Sequence, residues 1–199
     1  MAISPAQVKE LRERTGAGMM ECKKALEETN GNIEAAIDLL RARGAAKAAK
    51  RGERETREGT IGSYVHMGGK IGVLVEIQCE TDFVARNEMF QRLARDLAMH
   101  IAAANPLALD AASLPQDVVE RERAVYLEQV RTEGKPANMH DKIVEGKLRR
   151  FYQDNTLLDQ VFVRAEDGKQ TIKQLIQEAA AKTGENIVVR RFARFQLGE

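Results

Sequence analysis

Residues 60–79 read TIGSYVHMGGKIGVLVEIQC, and this stretch decides the fold. Its two halves are separated by Met67-Gly68-Gly69-Lys70, and paired glycines favour the tight turn of a hairpin. In the second half apolar residues occupy every other position, which is typical of a strand with one buried face. We therefore predict a β-hairpin. The residues expected on its buried face are Ile71, Val73, Val75, Ile77 and Cys79.

Three helices are predicted after the hairpin. The first begins near Asn87 and ends at Asn105-Pro106, because the residue before a proline disfavours helical geometry. The second begins at Leu114-Pro115 and the third follows Gly134-Lys135-Pro136, and we expect these two to form a helical hairpin. The positions expected to face inward on the first helix are Phe90, Leu93, Leu97 and Ile101.

The C-terminal segment predicts one more helix and a third strand. Thr171 and Gln174 form a capping box, and Gly184 ends the helix. The strand that follows alternates apolar residues with one interruption at Arg191, so its predicted inner face is Ile187, Val189, Ala193, Phe195 and Leu197.

The elements together predict an α+β fold, in which a small three-stranded antiparallel sheet is packed with helices on one side. So small a sheet leaves its other face in need of cover, and a second copy or a partner would supply it. The residues expected on that other face are Tyr64, Leu74, Val188 and Phe192.

The N-terminal part predicts three short helices. The first begins at Ser4-Pro5, a serine cap before a proline, and the third closes at Gly44. Residues 45–58 are rich in alanine and charge, which favours a solvated helical or flexible linker over a packed element. We predict an N-terminal module at residues 1–45, a linker at 46–58 and an α+β dimerisation core at 59–199.

Composition excludes several classes of function. The formal net charge is +1, so phosphate backbones are not the obvious partner. The longest apolar run, near residues 71–75, is far shorter than a membrane span, and the N-terminus lacks the features of a secretion signal. We expect a cytoplasmic protein that contacts neither membrane nor nucleic acid.

The sequence predicts neither a metal nor a cofactor. Cys22 and Cys79 are expected to be buried free thiols, and His66, His100 and His140 lack metal-ligand spacing. A phosphate-binding glycine loop and a nucleophile elbow are also missing from the sequence. We therefore expect a binding protein without enzymatic activity.

The connection between the hairpin and the long helix contains a large apolar ring, Phe83, where solvent is expected. Either the ring packs back on the long helix, or it is presented to a partner as an anchor. Asp82 beside it has an alternative interpretation as a helix N-cap.

Two consecutive methionines follow the turn Gly16-Ala17-Gly18. Met19 lies at helical spacing with Cys22 and Leu26, and only one of two consecutive residues can point into a small bundle. We expect the other methionine to form an adaptable contact surface beside Arg12.

The chain resembles bacterial elongation factor Ts, the guanine-nucleotide exchange factor of elongation factor Tu. The resemblance rests on residues 11–20 (LRERTGAGMM) continuing into 22–26 (CKKAL), and on 81–85 (TDFVA) directly after an alternating strand. Weaker similarity lies at 62–64 with His66, at 72–75 and at 184–187 (GENI). Glu21 departs from the family pattern, in which aspartate is common.

The resemblance implies how the chain would meet its partner. The N-terminal module, similar to a ubiquitin-associated fold, would dock on the nucleotide domain of elongation factor Tu through Arg12, Met19 and Met20. Asp82 and Phe83 would wedge between two helices of that GTPase near its Mg²⁺ and switch region. The remaining contact residues implied by the resemblance are His66, Thr81, Val84 and Gly184.

The resemblance also implies a homodimer. Longer members of the family carry two related core halves, whereas this chain has space for a single β-hairpin core. We therefore expect two copies to rebuild the whole, giving a two-plus-two complex with elongation factor Tu.

Two other binding functions are open at this point. One is a nucleic-acid-binding module, and the other is a ubiquitin-associated-type adaptor fused to an unrelated core. The cationic residues that the first would use are Lys147, Arg149, Arg150, Arg190, Arg191 and Arg194.

Overall fold

The computed structural model describes residues 3–198 and, within them, the side chains outside residues 45–49. Its first part is three packed helices, α1 (Pro5–Thr15), α2 (Met19–Glu28) and α3 (Ile33–Gly52). Ser4 caps α1 with the predicted capping box, and Gly16 ends it with a positive φ of 66°. The small core of these helices is formed by Val8, Leu11, Cys22, Ala25, Leu26 and Ala36.

The third helix does not close at Gly44, so that prediction was wrong. A glycine inside a helix costs only about 1 kcal/mol relative to alanine, and the alanine-rich segment after Gly44 favours helix. The far end of α3 is also held by tertiary contact, because Arg51 is buried and donates to the carbonyl oxygen of Ala180. The division into a module, a linker and a core stays a prediction.

The sheet consists of the predicted hairpin and a third strand. Strands β1 (Glu58–Val65), β2 (Ile71–Cys79) and β3 (Val188–Gln196) are antiparallel, with β2 in the middle. The predicted inward residues of β2 from Val73 to Cys79 are buried, and Ile71 is partly buried against the same core.

Helices cover one face of this sheet. The helices after the hairpin are α4 (Asp82–Ala85), α5 (Glu88–Ala104), α6 (Gln116–Thr132), α7 (His140–Asn155) and α8 (Ile172–Thr183). Of these, α4, α5 and α8 contribute to the core beside the sheet. The α+β prediction is confirmed, and α5 lies directly on β1 and β2. Helices α6 and α7 form the predicted helical hairpin around a separate cluster of Val130, Val144 and Leu148.

The third strand changes face part of the way along. Glu76 pairs with Arg191 but the next residue, Ile77, pairs with Val189, so Arg190 is an extra residue in a β-bulge. Such a residue shifts every later side chain to the opposite face. The predicted inward positions Ala193, Phe195 and Leu197 were therefore wrong: all three are exposed.

The face of the sheet turned away from the helices, the outward face, is apolar but has a different composition from the prediction. Tyr64 and Phe192 pack against the helix-covered core, because Tyr64 lies opposite buried Val73 and Phe192 opposite buried Val75. Leu74 and Val188 lie on the outward face as predicted. The exposed large apolar residues of this face are Ile61, Val65, Leu74 and Phe195.

Both cysteines are free and buried, as predicted. Among residues 3–198, the helices are all too short or too polar to cross a bilayer. The same residues contain no group of three or more His, Cys, Asp or Glu side chains placed to hold a metal ion.

Gly62 sets how closely α5 approaches the sheet, which yields a first prediction. A Cβ on Gly62 would lie 2.6 Å from the carbonyl oxygen of Ala94. We expect Gly62→Ala to lower the free energy of unfolding by about 1–3 kcal/mol, since the helix must move away. Urea denaturation measures the change. The matched control Gly146→Ala lies on exposed α7 in open space and should be neutral or stabilising; equal losses would contradict this account.

His100 predicts a pH dependence of stability. The ring is fully buried, Nε2 lies 3.0 Å from Oε1 of Gln160, and Nδ1 accepts from the backbone N–H of Val163 at 3.3 Å. Burial lowers the pKa of His100 below its ordinary value of 6.5. Below about pH 6.5 the unfolded chain therefore binds a proton that the folded chain does not.

Stability should consequently fall with pH below about 6.5, with a slope of up to about 1.4 kcal/mol per pH unit from this group. Denaturation at pH 7.5 and 5.5 measures it. The loss should be smaller in His100→Gln and unchanged in His140→Gln, whose ring is only partly buried and donates from Nε2 to the carbonyl oxygen of Lys135 at 2.8 Å. An equal loss in the parent and in His100→Gln would show that His100 is not the group responsible.

Candidate partner-binding site

The connection between β2 and α5 is built around the one-turn helix α4. Thr81 is its N-cap, and the Thr81 hydroxyl accepts from the backbone N–H of Val84 at 3.4 Å. Asp82 is the first helical residue and pairs with Arg86 at 3.1 Å. The alternative interpretation of Asp82 as the N-cap was therefore wrong. We call residues 80–87 the corner.

Phe83 points away from the protein. Its exposed fraction is 84%, whereas Val84 is partly buried against the core and Ala85 is buried. The interpretation in which the ring packs back on the long helix was therefore wrong. Burying a phenylalanine side chain contributes roughly 1.5–3 kcal/mol, and this ring keeps that contribution available for a partner.

A carboxylate from the opposite end of the sequence holds the corner. Oε2 of Glu185 accepts from the backbone N–H groups of Glu80 and Thr81, both at 3.1 Å. Oε1 of Glu185 accepts from the hydroxyl of Thr81 at 2.6 Å. Gly184, which ends α8 with a positive φ of 77°, places Glu185 beside the end of β2.

A second set of contacts returns in the other direction. Oε1 of Glu80 accepts from the backbone N–H of Asn186 at 2.6 Å and from Nη1 of Arg54 at 3.3 Å. Asn186 in turn donates its side-chain amide to the carbonyl oxygen of Arg54 at 2.9 Å. Sequence reasoning gave none of these side chains a role; its only signal was the similarity at residues 184–187.

Cys79, the last residue of β2, supports the corner. The thiol is fully buried and donates to the carbonyl oxygen of Thr81 at 3.2 Å. Burial and the nearby carboxylate of Glu185 raise the pKa of Cys79 to about 11. The thiol therefore stays protonated at neutral pH and is a poor nucleophile.

The N-terminal helices carry a second exposed apolar surface. Met19 and Met20 are 60% and 65% exposed, so the expectation that one of them points into the bundle was wrong. Both lie at the start of α2, and the interior there is filled by Cys22, Ala25 and Leu26. Arg12 on α1 is also exposed.

The structure brings some of the sequence-predicted residues together and separates others. Gly184 adjoins the corner, because the next residue, Glu185, bonds to Thr81. The turn that precedes Met19 lies near the end of α8, since a Cβ on Gly16 would lie 3.9 Å from Cε of Lys182. His66 lies at the opposite end of the hairpin, where its backbone N–H bonds to Ile71. From Gly72 to Cys79 the strand spans about 23 Å at a rise of about 3.3 Å per residue.

Known proteins to which this chain is similar belong to one family. The family model described as elongation factor TS matches residues 2–199. Elongation factor Ts of Fervidobacterium nodosum is 58% identical over 199 residues, which is 100% of both chains. Elongation factor Ts of Nitratidesulfovibrio vulgaris is 56% identical over 198 residues, covering 100% of this chain and 98% of the relative. That of Caldanaerobacter subterraneus is 55% identical over 197 residues, or 99% and 98%.

Proposed function

Because the chain belongs to the elongation factor Ts family, we propose that it is a translation elongation factor that promotes GDP release from elongation factor Tu. The observation that carries the proposal is the 84% exposed ring of Phe83, presented from a corner fixed by hydrogen bonds. The chain acts as a binding protein in the cytoplasm and performs no covalent chemistry of its own.

The proposed mechanism is mechanical. Asp82 and Phe83 enter between two helices of the GTPase and displace the helix that supports its Mg²⁺. That ion demands near-ideal octahedral oxygen geometry at about 2.1 Å, so a shift on the order of 1 Å in a supporting element weakens its hold. Thr81 and Val84 flank the wedge, and Thr81 sets the direction of its one-turn helix.

Energetic linkage sets what the wedge must achieve. Each 1.4 kcal/mol is about tenfold in rate, so destabilising bound nucleotide by roughly 6 kcal/mol speeds release about ten-thousandfold. Coupling between two ligands is reciprocal. Incoming nucleotide therefore weakens the binding of the chain by the same factor, which frees it for another cycle.

The N-terminal module supplies a second contact in this proposal. Arg12, Met19 and Met20 dock on the nucleotide domain of elongation factor Tu, and exposed methionines adapt readily to an apolar partner surface. Gly184 lies beside the wedge, whereas His66 would make a separate contact at the far end of the hairpin.

Direct nucleic-acid binding is not part of the proposal. Three of the cationic side chains that it would use are paired with carboxylates: Arg191 with Glu76 at 2.7 Å, Arg150 with Asp154 at 2.8 Å and Lys147 with Glu133 at 3.5 Å. Such neutralised charges offer little to a phosphate backbone.

A homodimer through the outward face completes the proposal. The exposed surface of the chain is 12816 Å², whereas a compact monomer of 22.2 kDa exposes about 9,400 Å². Ile61, Val65, Leu74 and Phe195 form a contiguous apolar set across the three strands. A second copy stacked on this face would bury that set and give a two-plus-two complex with elongation factor Tu.

The wedge predicts the effect of one substitution. Phe83→Ala should abolish most of the acceleration of GDP release, because it removes the ring and leaves the backbone of the corner in place. Dissociation of a fluorescent GDP from elongation factor Tu measures the rate. The control Met139→Ala removes another apolar side chain, which is 45% exposed and lies between α6 and α7, and this variant should behave like the parent.

Acceleration by Phe83→Ala equal to that of the parent would refute the wedge. If the intact chain leaves GDP release unchanged while single-stranded RNA shifts its migration at moderate salt, the nucleic-acid interpretation is favoured instead.

The outward face predicts the oligomeric state. The parent should sediment near twice its 22.2 kDa chain mass, and Leu74→Asp should sediment as a monomer, because a buried unpaired carboxylate is costly. Sedimentation equilibrium distinguishes the two. Val125→Asp, a similar change at an exposed position of α6, should leave the mass unchanged. A monomeric parent would exclude the dimer.

A further inference from the structure

We propose that Glu185 is a positioning residue, whose carboxylate fixes the direction in which Phe83 is presented. The inference is drawn from the geometry of the corner, and its test by GDP release rests on the proposed function. The hydrogen bonds of the Glu185 carboxylate go to Glu80 and Thr81, so its effect reaches Phe83 through Thr81, the cap of α4.

The short helix α4 needs outside support. One turn fixes several residues for a single backbone hydrogen bond, so a four-residue helix does not hold its own conformation. The three bonds to Glu185 fix the backbone of Glu80 and Thr81 immediately before it. At its other end the carbonyl oxygen of Ala85 accepts from the side chain of Gln91 on α5 at 2.6 Å. The turn that carries Phe83 is therefore held from both sides.

The contacts between the two chain segments are reciprocal. The Glu185 side chain binds the backbone of Glu80, and the Glu80 side chain binds the backbone of Asn186 at 2.6 Å. Because these two side-chain-to-backbone bonds run in opposite directions, they keep the two chain segments from separating and from sliding along each other. We call this pair of carboxylates with their backbone partners the latch.

Arginines from the end of α3 join the latch to the N-terminal helices. Nη1 of Arg54 lies 3.3 Å from Oε1 of Glu80 and 3.4 Å from the carbonyl oxygen of Gly184. Arg51, which is buried near the end of α3, donates to the carbonyl oxygen of Ala180 in the last turn of α8. The end of α3 therefore connects the N-terminal helices, which carry Met19 and Met20, to the corner that carries Phe83.

A loose corner would bind its partner less well. Immobilising a free side chain or loop on binding costs conformational entropy, and a preorganised corner avoids this cost. Glu185→Ala should therefore lower the second-order rate constant for accelerated GDP release by about tenfold. Glu185→Gln keeps an oxygen that can accept both backbone N–H groups and should retain most of the activity.

The test is a double-mutant cycle with Phe83. Glu185→Ala should cost activity in the parent and almost nothing further in a Phe83→Ala background, because it acts through the ring. Glu178→Ala, an exposed carboxylate on α8, is the matched control and should have no effect. Additive losses for Glu185→Ala and Phe83→Ala would overturn the inference. If Glu185→Ala does not fold, Glu185→Asp, one methylene shorter, carries the same cycle with a partial loss.

A second readout does not need elongation factor Tu. The sequence contains no tryptophan, so the indole of a Phe83→Trp variant is a single reporter of the corner. Adding Glu185→Ala should raise the amplitude of fast depolarisation in time-resolved anisotropy, and adding Glu178→Ala should not. An unchanged decay would overturn the latch. If the parent fails to accelerate GDP release, the proposed function is lost while this measurement still decides the role of Glu185.

Discussion

The short connection between β2 and α5 is the constraint on which the rest of the structure depends. Helix α5 is seated against β1 at Gly62, where a single added carbon would lie 2.6 Å from the backbone of Ala94. Buried Phe90, the third residue of α5, holds the start of the helix against the core. The connection between Cys79 and Glu88 contains the single helical turn α4, and Ala85 and Val84 take the inward positions of that turn. Phe83 is left outside by geometry.

The prediction from sequence succeeded where the deciding signal is local. Alternation identified β2, and side-chain caps at Ser4, Asn87 and Thr171 marked where α1, α5 and α8 begin. Each of these signals lies within a few residues of the feature that it specifies, so neighbouring side chains are enough to read it. The α+β class followed from the order of the elements alone.

Several failures have a different cause, which is contact between distant parts of the chain. The bulge at Arg190 depends on how β3 meets β2, and it alone moves Phe195 to the outward face. The continuation of α3 past Gly44 depends in part on the contact of Arg51 with α8. Glu185 and Thr81 are 104 residues apart in sequence, and no periodicity links them. Whether Phe83 is exposed or packs on α5 also depends on how the connection meets the rest of the core, so the sequence left both interpretations open.

The two exposed apolar surfaces of the core lie on different sides of the sheet, and this separation decides which partners can bind together. Helix α4 packs with Ala85 and Val84 into the helix-covered core, so Phe83 belongs to that side. Leu74 and Phe195 belong to the outward face. If a second copy stacks on the outward face, as proposed, both corners would stay uncovered, and a partner at one corner would not compete with that dimer. Had the bulge been absent, Phe195 would have turned toward the helices and Phe192, which now packs against the core, would have turned outward in its place.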